Sequence, residues 1–220
     1  MPTGYAPLDR LLLGGIPETD SMVLTSPSID ERDLLIKRFL EGGAESGETI
    51  FYVSTEISPG KALAEKYPRN VYFFVCNAQA DSVIPIAPNI SKLKGIENLT
   101  NIEIALTKAM RSLPPSQAAK RICIAIVSDV LLRHHAVITR NWLSSILPAL
   151  KAQGFTTMAV LNPLMHPKEE TQAIQGLFDG EILLQEEETA TGTEKTLRVR
   201  KLRDQKYLEN EIKLTRESFK

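Results

Sequence analysis

Short apolar runs alternate with segments of helical spacing, which predicts a doubly wound α/β domain with a mainly parallel sheet. Two of the runs, 121–127 and 156–161, are apolar almost throughout, as expected of strands covered on both faces. After Asp179-Gly180 the helical spacing stops. The runs 182–184, 197–202 and 207–214 then read as antiparallel C-terminal strands at one edge of the sheet. The chain has 220 residues, 43% of them hydrophobic. That suffices for one domain over 1–220 with a sizeable core, residues 180–220 forming a hairpin extension.

In chain order, residues 22–25 make the first strand. Leu34, Leu35, Phe39 and Leu40 share a helical face, and Gly42-Gly43 is expected to end that helix. Residues 49–54 are a second strand. Ser58 as a cap, with Pro59 at the first helical position, opens a helix through Lys66. Residues 71–75 form a third strand, and 77–98, with Pro85 and Pro88, read as irregular. Thr100-Asn101-Ile102-Glu103 has the form of a capping box and starts the next helix. Residues 139–153 are amphipathic and stop at Gly154, with a kink predicted at Pro148. Residues 168–178 are expected to be helical. The turn Thr189-Ala190-Thr191-Gly192-Thr193 joins two of the terminal strands.

The formal net charge is −1 and the pI about 6.3, which gives no general attraction to nucleic acid or to an anionic membrane. Cys76 and Cys123 lie in apolar strand-like runs and read as buried thiols of a reducing cytoplasm. The first residues show no signal-peptide pattern, and no apolar run approaches a membrane span. A cytoplasmic protein is expected. His134, His135 and His166 have no zinc-like spacing, and solvated or capping roles are expected of them. Glu186-Glu187-Glu188 reads as a solvated loop.

The segment Thr3-Gly4-Tyr5-Ala6-Pro7-Leu8-Asp9-Arg10-Leu11-Leu12-Leu13-Gly14-Gly15-Ile16-Pro17 resembles the opening motif of KaiC-like ATPases of the RecA superfamily. The register continues through Ser54-Thr55-Glu56 and on to Lys201-Leu202-Arg203, so the resemblance spans nearly the whole chain, to archaeal-type KaiC-like proteins or RadA paralogues. It implies a RecA-like fold and ATP bound between subunits of an assembly. The family's phosphate loop, G-x-x-x-x-G-K-[ST], corresponds here to Ser26-Pro27-Ser28-Ile29-Asp30-Glu31-Arg32-Asp33. Ser26 and Glu31 stand at the two motif glycines, Arg32 at the lysine and Asp33 at the magnesium-binding hydroxyl. The position matching the family's metal-ordering aspartate is Ala125, and the paired catalytic acids correspond to Glu56 and Ile57.

A phosphate loop works because glycines let backbone N–H groups wrap the anion at a helix N-terminus. Side chains at Ile29 and Glu31 oppose this, and Asp30, Glu31 and Asp33 set three carboxylates where triphosphate would lie. One like-charge pair ~4 Å apart costs about 4 kcal/mol at an effective dielectric of 20. The expectation is therefore a degenerate site with no cofactor and no metal. Ser28-Ile29-Asp30-Glu31 also fits a capping box, which predicts that Ser28 caps the following helix.

The resemblance implies that Lys201 and Arg203, at the family's Lys-x-Arg spacing, would act in trans on a neighbour's nucleotide; an ordinary polar strand face is the alternative. The leading expectation is a catalytically inactive binding or regulatory subunit that partners itself or a KaiC/RecA-like paralogue. The alternatives are an atypical ATPase using Arg32, Glu56 and Asp129, or a recombinase-paralogue accessory factor at DNA. The loop 162–168 has one lysine and no aromatic side chain, a poor surface for single-stranded DNA.

Overall fold

A computed structural model describes residues 1–114, 118–189, 192–215 and 217. The elements run α1 (Ala6–Leu11), β1 (Ser21–Thr25), α2 (Asp30–Glu45), β2 (Thr49–Ser54), α3 (Ile57–Lys66), β3 (Val71–Cys76), α4 (Ala80–Val83), β4 (Ile90–Leu93) and α5 (Leu99–Ser112). They continue with β5 (Lys120–Ile124), α6 (Val127–Ala152), β6 (Phe155–Leu161), a 3-10 turn (Pro163–Met165), α7 (Lys168–Gln175), β7 (Gly180–Thr189), β8 (Gly192–Leu202) and β9 (Ile212–Lys213). Among the described residues the nine strands join one sheet in the order β4-β3-β2-β5-β6-β1-β7-β8-β9. The strands from β4 to β7 in that order pair in parallel, and β8 and β9 add antiparallel at one edge.

β1 and β6 at the centre are buried at every residue, which explains their largely apolar character. One face of the sheet packs Leu35, Phe39 and Leu63 of α2 and α3. The other packs Ile102, Leu106, Trp142, Leu143 and Ile174 of α5, α6 and α7. This is the predicted doubly wound arrangement.

Several local expectations are corrected. Gly42 and Gly43 lie inside α2. A Cβ on Gly43 would stand 2.4 Å from Nε of Arg121, so the glycine makes room for a buried guanidinium. Arg121 is 1% exposed and pairs with Glu48 through two 2.6 Å hydrogen bonds. It also donates to the Phe39 carbonyl at 2.6 Å and lies over the Phe39 ring. α5 is capped by Asn98, whose side chain accepts from Asn101 N–H, rather than by Thr100. α3 begins at Ile57, before Ser58. The run 77–98 contains α4 and β4. α6 starts at Val127, inside the predicted strand, and breaks at His135 (φ 59°, ψ 173°); Pro148 sits within its helical part. Glu186, Glu187 and Glu188 belong to β7, with Glu186 3.7 Å from Lys195. The run 207–214 contributes only β9. Of the predicted turn at 189–193, residues 190 and 191 lie outside the described residues.

The opening motif is a packing element. Thr3 N–H donates to Asp9 at 2.7 Å, and Gly14 N–H to the Asp9 carbonyl at 2.8 Å. A Cβ on Gly4 (φ +80°) would fall 2.3 Å from the Arg38 carbonyl oxygen of α2. Its presence therefore has a cause in the fold, independent of nucleotide.

Candidate functional site

The carboxyl ends of β1, β2, β5 and β6 converge on a cleft of about 960 Å³ between α2 and α3. Such ends are the usual ligand position in open α/β sheets. Of the residues singled out from the sequence, Ser28, Asp30, Arg32, Asp33, Glu56 and Ala125 line it, together with Asp129.

The turn leaving β1 differs from the expected cap. Ser26 is buried, its N–H donating to the Leu161 carbonyl at 2.9 Å and its hydroxyl to the Pro27 carbonyl at 2.8 Å. The N-cap of α2 is Ile29 in extended backbone, with no side-chain cap. The Ser28 hydroxyl instead accepts from Arg32 and from the Asn162 amide, both at 3.0 Å. Ser28 thus ties the turn to the end of β6.

Glu31 is also corrected. It is 3% exposed and turns away from the cleft to meet Lys195 of β8 at 2.7 Å. Two of the three expected carboxylates, Asp30 and Asp33, remain at the mouth. Arg32 folds back onto Asp33, 2.8 Å away.

Across the mouth, Glu56 is the exposed N-cap of α3, and its N–H donates to the Ser54 hydroxyl at 3.0 Å. Ile57, in place of the second acid, packs against the core. Ala125 donates its N–H to the Val53 carbonyl, carrying the chain from β5 into α6. Asp129 then sits in the first turn of α6, and its carboxylate accepts from the Thr55 hydroxyl at 3.1 Å. Burial raises the Asp129 pKa above the usual carboxylate value; the Thr55 hydrogen bond, His166 and Arg32 oppose it only in part. Tyr52 lies deeper in the cleft, its hydroxyl pKa raised chiefly by burial.

Thr55, Ser128 and Asn162 belong to this site and were missed from the sequence. The Ser128 hydroxyl accepts from Asn162 N–H at 2.7 Å, and the Asn162 side chain accepts from Leu164 N–H at 3.0 Å. Asn162-Pro163 directly after a buried strand was the available signal, since polar residues there fall at the carboxyl edge. His166 is half-exposed at the C-cap of the 3-10 turn; its Nε2 is buried with no partner among the described residues, and burial lowers its pKa. His134 bonds the Ile96 carbonyl, and His135 marks the break in α6. Cys76 and Cys123 are buried free thiols, burial raising both pKa values, that of Cys76 to about 12. Among the described residues no His, Cys, Asp and Glu cluster has metal-holding geometry, and no helix is long and apolar enough to cross a membrane.

Lys201 and Arg203 lie at the opposite, amino edge of the sheet. Lys201 donates to the Phe178 carbonyl at 2.9 Å, and Arg203 pairs with Asp179 at 3.1 Å. Both cations reach the same corner, Arg203 just beyond the end of β8, and each has a partner in its own chain.

In the turn after β1 the N–H of Ile29 donates to the Pro27 carbonyl, and those of Arg32 and Asp33 donate to the Ile29 carbonyl, closing the first turn of α2. Asp30 and Asp33 flank the start of the helix where phosphate would accept hydrogen bonds.

The comparisons with known proteins agree with this architecture. The chain is similar over 97% of its length to 93% of a KaiC-like protein of the hyperthermophilic archaeon Pyrococcus horikoshii, with a TM-score of 0.71 and 18% identity. That likeness concerns the fold. No curated protein matches the chain. The family model for the KaiC ATPase matches residues 1–216, and the chain belongs to that family.

Proposed function

We propose that this KaiC-family chain is a non-hydrolysing member that does not take Mg·ATP and serves as a binding or regulatory subunit. The carboxylates of Asp30 and Asp33, which line the cleft at the start of α2 where phosphate would lie, carry that reading. Ala125 and Ile57 support it, because the positions that would order a metal and complete an acid pair are apolar. The test is thermal melting with millimolar Mg·ATP. A ligand at 100 times its Kd stabilises a fold by about 2.7 kcal/mol. No shift in Tm is expected, and a clear rise overturns the reading.

The position of Lys201 and Arg203 favours a role in an assembly with itself or a KaiC-like paralogue. They stand at the edge away from this chain's own cleft, and Arg203 is about half exposed (52%). To reach a neighbour's phosphate, Arg203 must exchange Asp179 for that ligand. An arginine supplied in trans is worth ~10³–10⁵ in phosphoryl-transfer rate. The ATPase rate of the co-purifying paralogue is expected to rise with wild-type protein and to stay low with Lys201→Ala/Arg203→Ala. Equal stimulation by both removes the trans role.

A further inference from the structure

We propose that the cleft between α2 and α3 takes a small organic cation with an apolar body, a primary ammonium being the simplest form. This rests on the reading that the chain does not take Mg·ATP, and it names what the same site takes instead.

The volume of about 960 Å³ lies within the range of small-molecule sites. Its walls are apolar where the helices face one another, Ile36 and Leu40 of α2 opposing Ala62 and Leu63 of α3. The mouth carries four carboxylates, Asp30, Asp33, Glu56 and Asp129, against the single guanidinium of Arg32. Arg32 is folded onto Asp33 and Ser28 and also bears on Asp129. Lys37 and Lys66 lie farther along the helices with Glu41, which is 3.4 Å from Lys66. The cleft is therefore negative at the mouth and positive at its far end. That polarity repels an anionic head at the mouth and orients a cationic one towards it.

Asp129 is the group the ammonium meets. A carboxylate has about four acceptor sites. Among the described residues one side-chain donor reaches it, from Thr55. Its half-buried position makes a charged donor worth more than it is in water. Glu56 across the mouth supplies a second, exposed acceptor. An alkyl or aromatic body then lies along Ile36, Leu40 and Leu63, removed from water.

The experiment titrates the full chain by calorimetry with hexylamine, hexanol and hexanoate, and with Mg·ATP in a parallel arm. Hexylamine is expected to bind, hexanol roughly tenfold more weakly, and hexanoate weakest. Asp129→Asn should weaken hexylamine by roughly tenfold while leaving hexanol unchanged. Ala62→Trp, at an exposed helix position, fills the cleft without entering the core and should abolish binding of both. Hexanoate binding as well as hexylamine, or hexylamine unaffected by either variant, overturns the proposal. If hexylamine and Mg·ATP are both silent, this inference fails while the non-hydrolysing reading stands. If Mg·ATP binds, that reading fails and takes this one with it.

Discussion

Asp179, at the amino edge of the sheet, receives the backbone N–H and the hydroxyl of Ser21, at 3.0 and 2.9 Å, with Arg203 at 3.1 Å and Lys151 at 3.5 Å. Asp129, at the carboxyl edge, receives the Thr55 hydroxyl at 3.1 Å. Burial opposes ionisation in both. At Asp179 the Ser21 donors and the two cations together outweigh it and hold the pKa below the usual value. At Asp129 burial wins and the pKa is raised. The same edge that holds Asp179 also holds the buried Arg121–Glu48 pair. One edge is arranged for stability, whereas the other keeps carboxylates at an open cleft. Charged groups left poorly satisfied in a cleft mark functional sites.

Breaking the amino edge gives the largest effect. Glu48→Leu leaves Arg121 buried with two carbonyl partners and no counter-charge. The expected loss is about 3–5 kcal/mol by chemical denaturation. A loss near zero would mean that the pair is solvated and that the contrast between the edges is overstated.

Asp179→Ala removes a nearly buried acceptor of several donors and should cost about 1.5–3 kcal/mol at neutral pH. Because the folded pKa is lowered, the stabilisation is present above the ordinary carboxylate value and is lost as pH falls through the folded value. Wild type and variant should therefore converge in acid melts.

Asp129→Asn sharpens the contrast with the smallest effect and the opposite sign. A raised folded pKa means that ionised Asp129 opposes folding. The stability it permits is fully present below the ordinary value and is lost as pH rises through the folded value. The variant should melt higher than wild type at neutral pH, the difference vanishing in acid. A lower Tm at neutral pH would show Asp129 to be structural.

The parallel core was legible because strands buried on two faces leave continuous apolar runs, as in β5 and β6. β4 was not, being four half-buried residues close to Pro85 and Pro88. Helix starts were misjudged at Ser28, Ser58 and Thr100 because capping motifs are local. α2 and α3 begin where the turn from the preceding strand allows, at uncapped Ile29 and Glu56. The break at His135 has no marker, since a non-glycine residue at positive φ looks ordinary in sequence. Within the site, Arg32, Asp33, Glu56 and Ala125, singled out by the register with the family, line the cleft. Glu31 was misplaced because its partner, Lys195, lies 164 residues away.

Glu31, which the resemblance sets at the second glycine of the family's loop, is the near partner of a lysine on β8. Reverting it to glycine would remove that partner and leave Lys195 with Glu186, 3.7 Å away. Such a revertant should be less stable before any benefit to phosphate binding is felt, by roughly 1–3 kcal/mol for the lost charged hydrogen bond. A glycine at this turn would thus be opposed by a residue far outside it, on the sheet the turn leans on.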